Sequence, residues 1–121
     1  MNYKDGTTIL VNKLNRIGWK VDLYNKDVPE DIYGTIYYKL KLIDINKDNN
    51  EEETFVTLAH EVGHMLSYYL LGNIVTKKLL GNNNTELMAS VLGFIVVKTI
   101  LYKYKLKNWL KYNPYYRRGD K

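Results

Sequence analysis

Two histidines occur in this 121-residue chain, and both fall in one five-residue stretch, His60-Glu61-Val62-Gly63-His64. The pattern is H-E-x-x-H. Residues four apart on a helix share a face, so both imidazoles can reach one metal ion. Each residue step turns the helix by about 100 degrees, so the glutamate between them misses the ion yet reaches a water beside it. Zinc brings the pKa of such a water to about 7, where a carboxylate can take its proton. The spacing therefore suits Zn2+, with His60 and His64 as ligands and Glu61 as the catalytic base. Five-residue patterns also arise by accident, and the surrounding residues give this one its weight. With His60 at zero on a helical wheel, His64 lies at about 40 degrees. Phe55, Leu58, Val62, Met65, Leu66 and Tyr69 gather near roughly 200 degrees. Such a helix is expected to pack into a core on one side and to offer both imidazoles to a cleft on the other. Gly63 flanks the histidine face and allows close approach of another segment, at a helix cost of about 1 kcal/mol.

A catalytic zinc takes three protein ligands and keeps one position open. The chain has no cysteine and no third histidine, so a carboxylate must serve, and downstream of His64 the only acids are Glu86 and Asp120. Asp120 falls in residues 113–121, which read as a flexible basic tail. Glu86 opens an apolar segment running from Leu87 to Val97. A carboxylate at the edge of such a segment needs a strong partner, and a metal would be one. Asn83-x-x-Glu86 also resembles a capping box, so a helix-cap role stands open beside the ligand role. The two are compatible at different oxygens.

These residues must be positioned by the elements around them. Thr54–Leu71 reads as the helix carrying the motif, closed by Gly72, with the polar loop 46–53 delivering acids to its start. Ahead of it, 7–17 reads as a helix stopped by Gly18, and Trp19–Tyr24 as a short strand. Residues 25–34 read as a loop. Thr35–Ile45 is the best strand: Ile36, Tyr38, Leu40 and Leu42 alternate with Tyr37, Lys39 and Lys41. The alternation slips at Ile43 and Ile45, which marks a bulge or a strand end. Residues 73–81 are expected to hold a short turn or strand and Asn82–Asn84 a loop. One or two helices then run from 85 to 112, ending before Pro114. No repeat and no long linker divides the chain, so 1–121 is expected to be one domain.

Composition sets outer limits. Hydrophobic residues make up 45% and charged residues 26%, as in ordinary globular chains. The missing cysteines exclude disulfides, thiolate zinc fingers, iron–sulfur clusters and a cysteine nucleophile. A net charge of +5 implies only weak attraction to acidic partners. No secretory signal is expected at the N-terminus. The apolar run from Leu87 to Val97 is cut by Lys98, short of the roughly 18–20 residues that cross a bilayer. A cytoplasmic location is expected.

Phe55–His64 (FVTLAHEVGH), followed by Glu86-Leu-Met-Ala89, resembles the ImmA/IrrE-type zinc metallopeptidases. In that family an aromatic residue and LAHELGH lead into the zinc helix, and a second helix supplies a glutamate in a pattern like E-x-x-A-N-x-F-A. Glu86 and Ala89 match. Ser90 stands where asparagine is usual, and Leu92-Gly93 replace the Phe-Ala pair. The resemblance covers about residues 54–97 and is looser over 19–53. It implies a minimal zincin-like α+β domain, with a small, mainly antiparallel sheet packed on the active-site helix and a helical C-terminal half. It implies zinc-dependent hydrolysis of a peptide bond, with His60, His64 and Glu86 on the metal and Glu61 catalytic. It also implies a protein substrate, a helix-turn-helix repressor of a mobile element or stress regulon. No small-molecule cofactor, no membrane and no direct nucleic-acid contact is expected.

Several roles stay open. The Thr35–Ile45 strand is the candidate for holding an extended substrate by strand addition, with a purely structural role as the alternative. A peptidase needs a group to stabilise the oxyanion, and no histidine is left for it. Tyr68, Tyr69, Tyr115, Tyr116, Arg117 and Arg118 are candidates that the sequence does not separate. From Lys98 onward, basic residues interleave with tyrosines and Trp109, a composition that suits a solvated face and also single-stranded nucleic acid or a membrane surface. Two other functions compete with the peptidase. One is a non-catalytic module that regulates a DNA-binding partner by contact. The other is a basic nucleic-acid-binding protein with an accidental motif.

Overall fold

A computed structural model describes residues 2–112; the side chains of residues 71, 73–84 and 112 lie outside that description. The first helix, α1 (Tyr3–Arg16), is capped by Asn2, whose side chain accepts from the Asp5 backbone N–H at 2.8 Å. Asp5 in its first turn and Lys13 and Arg16 in its last complement the helix dipole. Leu10 and Leu14 point into the core.

Three strands follow: β1 (Lys20–Asn25), β2 (Gly34–Tyr37) and β3 (Leu42–Asn46), arranged in the order β1-β3-β2. The expected single strand over Thr35–Ile45 is instead a hairpin. β2 and β3 pair antiparallel with Ile36 opposite Ile43, and Tyr38–Lys41 turn between them. Lys41 takes the left-handed conformation, φ 52°, and its N–H donates to the Tyr38 carbonyl at 3.2 Å. The sheet is mixed rather than mainly antiparallel, because β1 pairs with β3 in parallel. β3 takes the centre because residues on both of its faces are buried: Ile43 and Ile45 on one, Asp44 and Asn46 on the other. The slipped alternation at Ile43 and Ile45 is the mark of this central strand and of the turn before it.

The motif helix, α2, spans Glu51–Leu71 and begins three residues earlier than the apolar pattern suggests. Asn50 and Glu53 form a reciprocal capping box: the Glu53 N–H donates to Asn50 Oδ1 at 2.8 Å, and the Asn50 N–H donates to Glu53 Oε1 at 3.0 Å. Glu51, Glu52 and Glu53 all lie in the first turn, where the dipole favours them. α2 ends at Gly72, whose φ of 78° turns the chain directly into α3 (Asn73–Ile100). The expected turn or strand over 73–81 and the loop at Asn82–Asn84 are helix, so α3 is one 28-residue element. A last short helix, α4 (Leu106–Tyr112), lays Trp109 against Phe94 of α3, with ring centroids 5.8 Å apart. The expected tail, 113–121, lies outside the described residues.

The result is a small α+β fold in which α2 is the central helix, with the sheet and α1 on one side and α3 on the other. Its residues 54–63 are buried all round. Phe55, Val56, Leu58 and Ala59 join Trp19, Ile43, Ile45, Val97 and Trp109 in one core. The cleft expected over the histidine face is therefore covered by α3. Among the described residues, no helix is long and apolar enough to cross a membrane.

Candidate metal centre

The centre is built where α2 and α3 touch. His64 meets Glu86, Gly63 meets Ala89, and His60 meets Ser90, so the two helices run antiparallel. Two glycines let them approach this closely. A Cβ on Gly63 would lie 2.0 Å from the Ala89 carbonyl oxygen. A Cβ on Gly93 would lie 2.8 Å from the Ala59 carbonyl oxygen and 3.1 Å from His60 Cα. Backbone fills both places, and backbone cannot step aside as a side chain tip can. Both helices then present polar side chains one turn apart: His60 and His64 on α2, Glu86 and Ser90 on α3.

The two imidazoles stand edge to face, ring centroids 4.8 Å apart. Glu86 Oε2 lies 3.0 Å from His60 Nε2 and 2.7 Å from His64 Nε2, so one carboxylate oxygen sits on both nitrogens. Glu61, 2% exposed, places a carboxylate oxygen within 4.8 Å of a ring nitrogen of each histidine. Exposure grades along the site: the His60 side chain is fully buried, His64 is 11% exposed and Glu86 27%. Solvent, and any substrate, therefore reaches the centre from the His64 and Glu86 side.

Burial pushes the His60 imidazole below its ordinary pKa, more strongly than the nearby carboxylates pull it up. The ring is thus neutral near pH 7, the form that ligates metals. Burial by itself would raise the Glu86 carboxyl. The hydrogen bonds from His60 and His64 outweigh it and hold Glu86 well below the usual carboxylate range. Glu86 is therefore ionised near pH 7.

Ligand atoms held about 2.0–2.2 Å from a tetrahedral zinc stand about 3.4 Å from one another. The separations of 2.7 and 3.0 Å at Glu86 are shorter than this by about 0.7 and 0.4 Å, so the three groups would open slightly to admit the ion. The donor set, two imidazole nitrogens and one carboxylate oxygen, suits zinc, and the three groups already converge. The arrangement also has the outer support that metal-binding histidines require. Ser90 Oγ lies 3.3 Å from His60 Nδ1, the nitrogen turned away from Glu86. A hydroxyl donates or accepts, so it serves whichever tautomer His60 adopts.

The structure brings together His60, Glu61, His64 and Glu86. It places Glu86 in the middle of α3 rather than at a helix start, which removes the capping-box explanation resting on Asn83. The box in this chain is the one at Asn50 and Glu53. Tyr115, Tyr116, Arg117, Arg118 and Asp120 lie outside the described residues. Tyr69 accepts a hydrogen bond from Trp19 Nε1 at 3.1 Å. Sequence reasoning missed two participants. Ser90 follows Glu86 by one helical turn, mirroring the histidine spacing, and that repeat was a readable signal. Gly93 pairs with Gly63 and was readable only once the two helices were known to meet. Tyr38, whose ring the hairpin stacks on Tyr68 of α2, carries no local signal either. Compared with protein-family models, with curated proteins and with solved structures, the chain matches none.

Proposed function

We propose that this chain is a zinc-dependent peptidase of the ImmA/IrrE type, with a zincin-like catalytic domain. It cleaves a protein, a helix-turn-helix repressor of a mobile element or stress regulon, in the cytoplasm where that repressor works. The observation that carries the reading is the single Glu86 oxygen in contact with Nε2 of both His60 and His64. His60, His64 and Glu86 hold the metal. Zinc bound there supplies Lewis-acid chemistry, polarising the scissile carbonyl and acidifying the attacking water. Glu61 takes the proton from that water and passes it to the leaving amide nitrogen. Buried beside the histidines, its carboxylate is held in place rather than swinging in solvent. β2 is an outer strand of the sheet and packs beside α2 where Gly34 meets Thr57, so an extended substrate can align along it. Of the expected Thr35–Ile45 candidate, only this outer half remains, because β3 is enclosed by strands on both sides.

Two measurements test this. Protein purified without added metal should contain near-stoichiometric zinc by elemental analysis; absence of metal would leave the motif an accident. Incubation with a neighbouring helix-turn-helix repressor should yield a discrete cut, and Glu61→Gln should abolish it while keeping zinc. If Glu61→Gln relieves repression as well as the native chain does, the protein acts by contact and not by cleavage.

A further inference from the structure

We propose that Tyr38 is the residue that completes this centre, its hydroxyl donating a hydrogen bond to the substrate carbonyl oxygen as that oxygen gains negative charge. The inference rests on the peptidase reading and adds the group that reading lacks. Tyr38 is the first residue after β2, at the start of the hairpin turn. Its ring stacks on Tyr68, with centroids 4.3 Å apart and planes within 16°. Tyr68 follows His64 by four residues, so it stands on the histidine face one turn further along α2. The stack therefore carries a ring of the hairpin to the side of the centre where His64 and Glu86 meet solvent. Tyr38 and Tyr68 line a cavity of about 320 Å³ with Tyr37, Lys39 and Leu40, next to the outer strand along which a substrate would lie.

The Tyr38 hydroxyl makes no hydrogen bond among the described residues, although the side chain is partly buried, so its proton is available to a ligand. Of the other tyrosines of this corner, Tyr69 accepts from Trp19, Tyr37 is exposed on the outer face of the hairpin, and Tyr68 is the platform of the stack. The electrostatics agree with a donor role. Burial, then the charges of Glu61 and Glu86, then Tyr68, push the Tyr38 phenol well above its ordinary pKa. A tyrosinate in the field of two carboxylates is disfavoured, so the group stays O–H near pH 7. Donation needs no proton transfer: the O–H bond stays intact and only charge on the carbonyl oxygen is stabilised.

The test compares the zinc-loaded wild type with Tyr38→Phe, which keeps the ring and the stack and removes one oxygen. Tyr69→Phe serves as the control. Each is titrated by calorimetry with two probes of one peptide sequence: a phosphonamidate, whose tetrahedral anion mimics the charged oxygen, and the plain amide bound to an added Glu61→Gln background. Tyr38→Phe should weaken the phosphonamidate at least tenfold, leave the amide within about twofold, and leave zinc content and melting temperature unchanged. With a cleavable peptide it should lower kcat by roughly 10²-fold with little change in KM. Equal phosphonamidate affinity in wild type and Tyr38→Phe overturns the assignment, even if both cleave. A parallel loss of both probes also overturns it, because that is what a structural role would give. A wild type that binds zinc and phosphonamidate but cuts no peptide defeats the peptidase reading alone and leaves the Tyr38 contact standing on its affinity.

Discussion

Helix α2 is covered on two sides, and the two coverings are made differently. Against α3 the contact is backbone to backbone through Gly63 and Gly93, and the polar side chains in it are paired: His60 and His64 with Glu86, Ser90 with His60. Against the sheet the contact is made by side chains. There Thr54 and Thr57 of α2 each bury an oxygen that has no partner among the described residues. A pair of helices locked by backbone holds three ligand atoms to a few tenths of an ångström, which metal binding requires. A side-chain interface with unspent polar groups tolerates adjustment, which suits the side proposed to hold a substrate. Substitutions at matched positions on the two sides should therefore differ in size and in what they disturb.

The largest effect is expected at Gly63→Ala. The added methyl would meet the Ala89 carbonyl at 2.0 Å, and relief requires α3 to move off α2. The cost should be about 4 kcal/mol or more, a large part of the 5–15 kcal/mol that holds a domain together. Urea denaturation followed by circular dichroism should show a protein that is unfolded or barely folded, with zinc uptake lost in either case. A Gly63→Ala protein as stable as the wild type, still binding zinc, would erase the distinction between the two sides.

Gly34→Ala is the matching change on the sheet side. Its Cβ would meet the Thr57 methyl at 2.7 Å and the Asp44 carbonyl oxygen at 3.0 Å. The nearest obstacle is a side chain, so the interface can yield, and the cost should be about 1–3 kcal/mol. Zinc affinity should stay unchanged in the folded protein. A loss of zinc from Gly34→Ala equal to that from Gly63→Ala would mean that the sheet, too, fixes the ligands.

Ser90→Ala sharpens the α3 side without touching its backbone. Removing the oxygen 3.3 Å from His60 Nδ1 leaves that nitrogen unsupported in a buried place. Zinc affinity, measured by competition with a chelator, should fall about 10- to 100-fold. Stability without metal should fall by only about 1 kcal/mol, the cost of one unpaired buried nitrogen, read from the urea midpoint. Unchanged zinc affinity would show that the helix packing alone orients the ring.

The same contrast decides how much could be read from sequence. The α3 side was legible because its chemistry is local: His60, Glu61 and His64 sit within one turn, Gly63 sits among them, and Glu86 was the one acid placed to join them. The ends of α2 were half legible. Gly72 was read as the stop, but the Asn50 and Glu53 box was taken for loop, because polar residues in a first helical turn look like loop until their caps are seen. The sheet side was not legible. The Tyr38–Lys41 turn holds no glycine, proline or asparagine, and Lys41 adopts a positive φ that lysine seldom takes, so the alternation ran through it unbroken. Asn82–Asn84 carry the opposite lesson. Asparagine favours caps and turns only weakly, by about 0.7 kcal/mol per residue, and a long helix overrides it. Tyr38 reaches α2 through a hairpin and a stack, and neither leaves a trace in local spacing.

The smallest change tests the sheet side most directly. Thr57 is fully buried, and its Oγ1 has no hydrogen-bond partner among the described residues. Its methyl, by contrast, packs against Gly34. Thr57→Val keeps that methyl and puts a second one where the hydroxyl stands, at nearly constant volume. A buried hydroxyl without a partner carries a desolvation cost of about 1–3 kcal/mol, and the new methyl removes it. Against this stands the slightly larger methyl in a close-packed place and a small difference in helix propensity. The balance should favour valine by about 0.5–1 kcal/mol, read as a higher urea midpoint at an unchanged slope. The sign is what matters. If valine destabilises, the Thr57 oxygen holds a hydrogen bond in solution, and the sheet side of α2 is as fully paired as the side facing α3.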